Sequence, residues 1–575
     1  MSKLPPRIAP LMIGIALLAS ACATPATAPV QSQAAPAAAP ASPKGPVTLT
    51  MAVQNEPSNF MSVQYGGSPS QGGTQHGRYV VHDFLVVQDE VGAWVPSLAV
   101  EKPAVDKGTW ILNPDGTMDV TWKLRPNVKW HDGTPFTSDD LLFTMAVKTD
   151  PEMPWPKGTE RLVRSVSAPD PQTFVIHWGS VYNRADEDPV VEPLPKHLLR
   201  EAYETDKANF GANPYLSTQF VGVGPYRLVN WARGSHMEFS RFDDYYRGRP
   251  PLDRVFIRFM GDPNTLVANI LSGEVDVVLP TSVEVDAALE VKRRWEGTGN
   301  QVKFALQGLV WYLQLQARPE YAKPANGLTN RTVRQALYQA IDRQNLAEVM
   351  TGGLAPIADS WIEPTHPLRS QLESAIPQYP YDPARATQLL TQAGWVRGAN
   401  GTFADPQSGA PLELEVWGRQ GRGEGKIASI VTDNWSTVGV QARQVDVPAA
   451  RANDAEYLNT HPGAFTNTQS KAFDSFFTDK LSTRNVPTPA NRWAGTNRGG
   501  YSNPQLDQLL DRLVGTIDPQ QRLPLMRQAL ELQVGDVALM PLFWDVSPVL
   551  MVKGVEGPIT ADKDVIAKFY LWHKD

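Results

Sequence analysis

Apolar and polar side chains alternate at the start of the body of this chain, in Thr48-Leu49-Thr50-Met51-Ala52-Val53. A period of two with β-branched residues predicts a strand with one buried face. The same alternation returns in Met118–Leu124 and in Leu412-Glu413-Leu414-Glu415-Val416-Trp417. A different spacing governs 332–350, where Val333, Ala336, Leu337, Ala340, Ile341 and Leu346 recur every three or four places and predict a helix. Asp382-Pro383 supplies the N-cap and first position of another helix, which Gly394 ends. Ile427–Val438 is a further helix, and Asn503-Pro504 and Asp518-Pro519 each open one more. Strands interleaved with helices define an α/β body. Asn55-Glu56-Pro57-Ser58-Asn59 breaks the first strand, and a glycine-rich loop follows, from Tyr65-Gly66-Gly67 to Gln71-Gly72-Gly73. No fixed-period repeat is present.

The N-terminal segment follows neither pattern. Lys3 and Arg7 precede an apolar run from Ile8 to Ala19, too short to cross a bilayer as a mature helix. Ala19-Ser20-Ala21-Cys22 then resembles a bacterial lipobox, with Ala19 where leucine is usual. The resemblance implies a signal peptide over 1–21, cleavage before Cys22 and thioether lipidation of that cysteine. Ala23–Pro46 holds nine Ala, six Pro and one charge in 24 residues and has no apolar period that could seed a core. It is read as a tether, on the order of 3 Å per residue when extended. The expectation is an exported protein, anchored by lipid and working outside the cytoplasm, in the periplasm or at the cell surface.

Composition narrows the function. At 575 residues, the size prior gives about four domains, with two or three also compatible. Lys plus Arg is 53 and Asp plus Glu is 60, a net charge of −7, which excludes a nucleic-acid binder working by bulk charge. A hydrophobic fraction of 42% is neither that of a polytopic membrane protein nor that of a disordered chain. The single cysteine rules out a disulfide framework and a Cys-based zinc finger.

Enzyme motifs fail one by one. Gly222-Val223-Gly224 begins like a dinucleotide fingerprint, but Arg227 stands where the third glycine belongs. Gly421-Arg422-Gly423-Glu424-Gly425-Lys426 is preceded by Gln420 and followed by Ile427, so it is not a phosphate loop. Neither G-x-S-x-G nor H-E-x-x-H occurs. His76, His82 and Asp83 form a local metal-like group, read as surface or hinge residues for want of a second ligand pair. No catalytic residue, metal or cofactor is expected. Aromatic residues are plentiful, 16 Trp, 16 Tyr and 19 Phe, and Trp361, Trp417, Phe465 and Trp544 sit where strands meet loops, a usual place for ligand contact.

Several strings occur in a recognisable order. Trp122-Lys123-Leu124-Arg125-Pro126-Asn127-Val128-Lys129-Trp130-His131-Asp132-Gly133-Thr134-Pro135-Phe136-Thr137-Ser138-Asp139-Asp140 comes first, with Asp132-Gly133 as a tight turn and Thr137 or Ser138 as a helix cap. Leu194-Pro195-Lys196-His197, Gly222–Tyr226, Asp244-Tyr245-Tyr246 and Ser272–Asp276 follow. Val333–Leu337 with Ala340-Ile341-Asp342, Tyr381–Trp395, Gly500–Pro504 and Met540-Pro541-Leu542 complete the series. Together they resemble the extracytoplasmic solute-binding proteins of ABC importers, of the peptide/nickel/oligopeptide-binding class. That resemblance, over 47–575, implies a two-lobed periplasmic-binding-protein type II-like α/β fold with an extra inserted domain and a hinged cleft. Domain I would comprise 47–70, 186–300 and 536–575, the inserted domain II 71–185, and domain III 301–535. It further implies a monomeric, non-enzymatic receptor that closes on a small solute and presents it to the permease subunits.

In peptide binders of the class, an aspartate in domain III pairs with the ligand's amino terminus. Here Thr466 or Asn467 stands at the matching place, in Gly463–Gln469, and an amide or hydroxyl cannot supply that charge-assisted bond. Asp474 could substitute through a loop shift, although it reads as a helix start. Arg419 follows the strand ending at Trp417 and could grip a carboxylate by two parallel bonds, or be a solvated loop arginine. Gln314 and Gln316 share one strand face, turned to cleft or core. The expected ligand contacts are thus Tyr65, Gly67, Gln71, Trp361, Trp417, Arg419, Phe465, Asn467 and Trp544. The ligand is expected to be peptide-like or another polar organic solute, with an oligosaccharide or metal chelate as alternatives. A secreted hydrolase using paired carboxylates is a more distant reading.

Overall fold

The first predicted strand, β1 (Thr48–Val53), lies in the interior of a 10-stranded sheet. This computed structural model describes residues 45–61, 76–153, 159–419, 423–452, 454–470, 473, 476–477, 480–560 and 566–575. Residues 46–575 form one compact unit.

A separate 4-stranded sheet contains β2 (Trp110–Leu112), β3 (Met118–Lys123), β4 (Val163–Asp170) and β5 (Thr173–Trp178), ordered β2-β3-β5-β4. The large sheet continues with β6 (Tyr226–Ala232), β7 (His236–Arg241), β8 (Arg254–Phe259), β9 (Val277–Val278) and β10 (Gln301–Leu315). It ends with β11 (Glu413–Arg419), β12 (Gln441–Val447), β13 (Ala464–Ser470) and β14 (Leu539–Met551). Its spatial order is β12-β11-β13-β10-β14-β9-β1-β8-β7-β6.

Two halves of that sheet meet only at β10 and β14. β13 pairs with the second half of β10, Leu309–Leu315, whereas β9 pairs with the far end of β14, at Leu550 and Met551. β10 and β14 run antiparallel along almost their whole length, from Gln301↔Met551 to Gln314↔Leu539. Their register breaks between Leu306/Val546 and Val310/Trp544, and again between Trp311 and Tyr312. Gly308 lies in the first break at φ 61°, a left-handed conformation that glycine adopts without a Cβ penalty.

Helices cover the sheets as the sequence pattern requires. Thr137 and Asp140 form a capping box on α1 (Ser138–Thr149). Asp382 caps α4 (Pro383–Gln392), and α5 spans Glu424–Thr437. Asn503 and Asp518 cap the helices Pro504–Gly515 and Pro519–Gly535. The helix predicted across 332–350 is in fact two, α2 (Arg331–Gln339) and α3 (Arg343–Thr351). Asp342 accepts from Asn345 N–H and starts the second, so a local side-chain cap outcompetes a continuous apolar period.

The long family-like string builds a core. Trp122, Trp130 and Trp178 are fully buried in the small sheet's hydrophobic cluster. Asp140 accepts from Thr137 N–H (2.9 Å), Lys196 N–H (3.2 Å) and Trp130 Nε1 (3.3 Å), and Asp132 pairs with His197 at 2.6 Å. His76, His82 and Asp83, expected at a surface or hinge, are buried instead. Asp83 accepts from Ser97 Oγ (2.7 Å), Tyr246 OH (2.7 Å) and Tyr245 OH (3.1 Å), while burial holds His82 neutral, its pKa lowered to about 3. Their type signalled ligation, but their partners are distant in sequence.

Gly222 and Gly224 owe nothing to nucleotide binding. A Cβ on Gly222 would lie 1.9 Å from the Val81 carbonyl oxygen, and one on Gly224 2.4 Å from His82 N. Backbone faces backbone, so neither side can yield. We expect Gly222→Ala to destabilise by more than about 2 kcal/mol in urea melts, whereas Gly261→Ala, with nothing within 4 Å, stays within about 0.5 kcal/mol.

Candidate functional site

Cross-strand pairing gathers most of the described candidate residues onto one face of the β11–β13–β10–β14 region. Trp417 pairs with Phe465, Phe465 with Gln314, Asn467 with Tyr312 and Trp544 with Val310. Arg419 lies two residues beyond Trp417 on the same face, its guanidinium 4.8 Å from the Phe465 ring centre. Trp361 reaches the same neighbourhood from a loop, its ring edge-on to Tyr312 at 5.9 Å and stacked on Phe476 at 3.6 Å. Tyr65, Gly67, Gln71, Cys22 and Asp474 lie outside the described residues.

The individual geometries differ. Phe465, Trp361 and Trp544 are fully buried, and Trp417 packs on Tyr457 while its Nε1 donates to Glu415 at 2.6 Å. Arg419 Nη1 donates to both Glu424 carboxylate oxygens, at 3.0 and 3.2 Å, and Arg419 N–H adds a third bond at 2.8 Å. Glu424 sits at the start of α5 and is itself buried, so the pair is electrically closed. Thr466 Oγ1 donates to the Trp417 carbonyl at 3.0 Å and is committed to joining β13 to β11. Asn467 faces Tyr312 instead; it is 5% exposed, and its Nδ2 has no acceptor among the described residues. The fully buried Trp361 Nε1 likewise has no acceptor among the described residues.

Gln314 and Gln316 are turned to protein. The Gln314 amide oxygen accepts from Gly499 N–H (2.7 Å) and Arg498 N–H (3.0 Å) in its satisfied orientation. Gln316 Nε2 donates to the His461 carbonyl at 2.9 Å, and its Oε1 accepts from Arg318 Nε at 3.0 Å. These amides fasten loops to β10.

Sequence reasoning missed Tyr312, Arg498, Glu363 and Asp545. Tyr312 shares its strand face with Gln314, which was the available signal; the other three become visible only when the chain folds. A cavity of about 480 Å³ opens beside the first half of β10, between Lys303–Leu306, Thr365, Glu90 and Thr560. This volume suits a small polar ligand. Two carboxyl groups adjoin the register break above it. Burial pushes Glu363 up to about 7 against the opposing pull of the Gly308 N–H, and its Oε1 has no partner among the described residues. Burial likewise pushes Asp545 up to about 6, with Trp311 Nε1 donating at 3.1 Å and the Glu284 charge adding to the rise.

Both groups are raised above their unfolded values, 4.5 and 3.8. The folded chain therefore holds protons that the unfolded chain has released, and this stabilisation is full at low pH and lost as pH rises through 6 and 7. We expect Glu363→Gln and Asp545→Asn each to stabilise the protein by about 1–3 kcal/mol at pH 8, with the gain vanishing near pH 4. Urea melts across that range would read it; an equal effect at both ends would mean that the amides act through shape.

Comparison with known proteins now meets this geometry. The family described as bacterial extracellular solute-binding proteins, family 5 Middle, matches residues 101–492. The chain is 25% identical over 340 residues to the oligopeptide-binding protein AppA of Bacillus subtilis, covering 57% of this chain and 58% of that protein. The chain thus spans somewhat over half the length of this relative. It is also 25% identical over 452 residues to heme-binding protein A of Haemophilus influenzae, covering 73% and 75% of the two chains. Among solved structures, NikZ of Campylobacter jejuni in complex with Ni(L-His) superposes with a TM-score of 0.68 at 22% identity, over 92% of this chain and 99% of that one. The fold is the two-lobed type II binding-protein fold, and the chain belongs to the bacterial extracellular solute-binding proteins, family 5.

Proposed function

We propose that this protein captures a peptide-like or other polar organic solute between its two lobes and delivers it to the transmembrane subunits of an ABC importer. The observation that carries this reading is the β10/β14 crossing: two halves of one sheet joined through a strand pair whose register breaks at Gly308. A break there lets the halves rotate without unpairing the rest of the ladder. A solute touching both halves stabilises the closed arrangement by its extra contacts, and the permease reads that state. No covalent step is required. The hydrophobic clusters follow the proposed domain division only in part: one spans 310–546 and so runs past 535, one draws on 85–223, and one joins β1 to β6–β8, the C-terminal segment and Phe143, Val147 and Met153 of the insertion.

Relatives named for oligopeptide and heme, and a neighbour holding a nickel–histidine complex, support a broad ligand class. The last also supports a metal chelate as second reading. A protein of this role works outside the cytoplasm as a monomer, and we assign Cys22 as the lipidated residue that holds it at the envelope through the 23–46 tether.

Mass spectrometry of material released by denaturing the purified protein tests the receptor role. An intact small polar solute, unchanged after incubation with fresh protein, is expected; conversion to product would overturn it in favour of a hydrolase. Cys22→Ser should abolish incorporation of radiolabelled palmitate, and continued labelling would remove Cys22 as the anchor.

A further inference from the structure

Between the helices Pro504–Gly515 and Pro519–Gly535 the chain leaves one hydrophobic core and enters another. Leu506, Leu509, Leu510 and Leu513, on the first helix, belong to the cluster that spans 310–546. Ile517 packs instead against the cluster of the small sheet, which includes Met118, Trp122 and Trp178. The second helix returns Leu525 and Met526 to the first cluster. The turn 514–518 therefore projects out of domain III, as proposed above, and into the inserted domain.

The inserted domain meets that turn with a polar contact. Asn183 is buried, and its Nδ2 donates to the Leu513 carbonyl at 2.9 Å, across 330 residues of sequence. Leu513 lies in the last turn of its helix, where carbonyls find no partner within the helix itself. Thr516 N–H reaches the same carbonyl, at 3.3 Å. The Asn183 amide thus donates at the negative end of the helix dipole. Its own segment is held by the small sheet's core: the Tyr182 ring lies 4.9 Å from that of the fully buried Trp178, and the Tyr182 hydroxyl donates to Asp188 at 3.0 Å. Each side of the contact is anchored in a different core.

We propose that Asn183 and Ile517 form a latch between the inserted domain and domain III, engaged when the lobes close. This rests on the hinge closure proposed above and gives the inserted domain a part in it, holding the solute in without touching it. The inserted domain moves with domain I, because Asp83 accepts from Tyr245 and Tyr246 and His131 N–H donates to the Gly222 carbonyl at 2.9 Å. Domain III is joined to domain I through β10 and β14, so rotation at that crossing withdraws the turn 514–518 and returns the Asn183 amide and the Leu513 carbonyl to water. A contact made only in the closed arrangement raises its population, and the apparent affinity for solute rises with it.

The test uses the purified full chain with the solute that co-purifies with it, and the same chain stripped in guanidinium and refolded. Small-angle X-ray scattering reads the radius of gyration, and native mass spectrometry reads the fraction of chains still loaded during dialysis. Asn183→Asp, which sets a carboxylate against the Leu513 carbonyl, should raise the radius of the loaded chain toward that of the stripped one and speed solute loss at least fivefold. Ile517→Ser should do the same from the other side, and Ile517→Val should keep wild-type values. Circular dichroism and melting temperature identify variants that fail to fold, and Ile517→Ser tests the latch with the inserted domain unaltered. Wild-type radius and retention in both folded variants would overturn the latch while leaving the receptor role intact. A wild-type chain that releases solute on denaturation, yet has the same radius loaded and stripped, would overturn closure and the latch with it.

Discussion

The pairing of β10 with β14 is the constraint on which the rest depends. A sheet edge left unpaired in the interior would strand backbone donors and acceptors, so two lobes sharing one sheet must be joined by continuous hydrogen bonding. A rigid ladder, however, would forbid the lobes to move. This chain meets both requirements by pairing the strands along nearly their full length and breaking register at Gly308 and again before Tyr312. At the breaks, burial holds the Glu363 and Asp545 carboxyls above their ordinary pKa, and Glu363 Oε1 has no partner among the described residues.

Away from the crossing, the chain spends its polar groups on holding loops in place. Asp83, Asp140, Gln314 and Gln316 are buried and each ties several backbone or side-chain donors. Such groups stabilise because every lone pair finds a partner. Other buried polar atoms have no partner among the described residues, Trp122 and Trp178 Nε1 in the small sheet's core as well as Asn467 Nδ2 and Trp361 Nε1.

The Arg419–Glu424 pair shows how tertiary structure redirects a residue's chemistry. An arginine at the end of a strand is a reasonable anion contact. Glu424, five residues later at the start of α5, holds Arg419 Nη1 with both carboxylate oxygens and cancels its charge.

The sequence by itself determined the alternation of strands and helices, the caps at Asp382, Asn503 and Asp518, and the family strings, because these depend on residues a few positions apart. It also brought Trp417 and Phe465 into consideration through strand position, and Arg419 and Asn467 through the family resemblance. It could not split 332–350, since the competing cap at Asp342 acts over three residues against an apolar period that runs straight through. Nor could it separate the buried Asp83 from a surface ligand. That distinction lies in partners tens to hundreds of residues away, and burial and charge compensation come into being only when the fold brings them together.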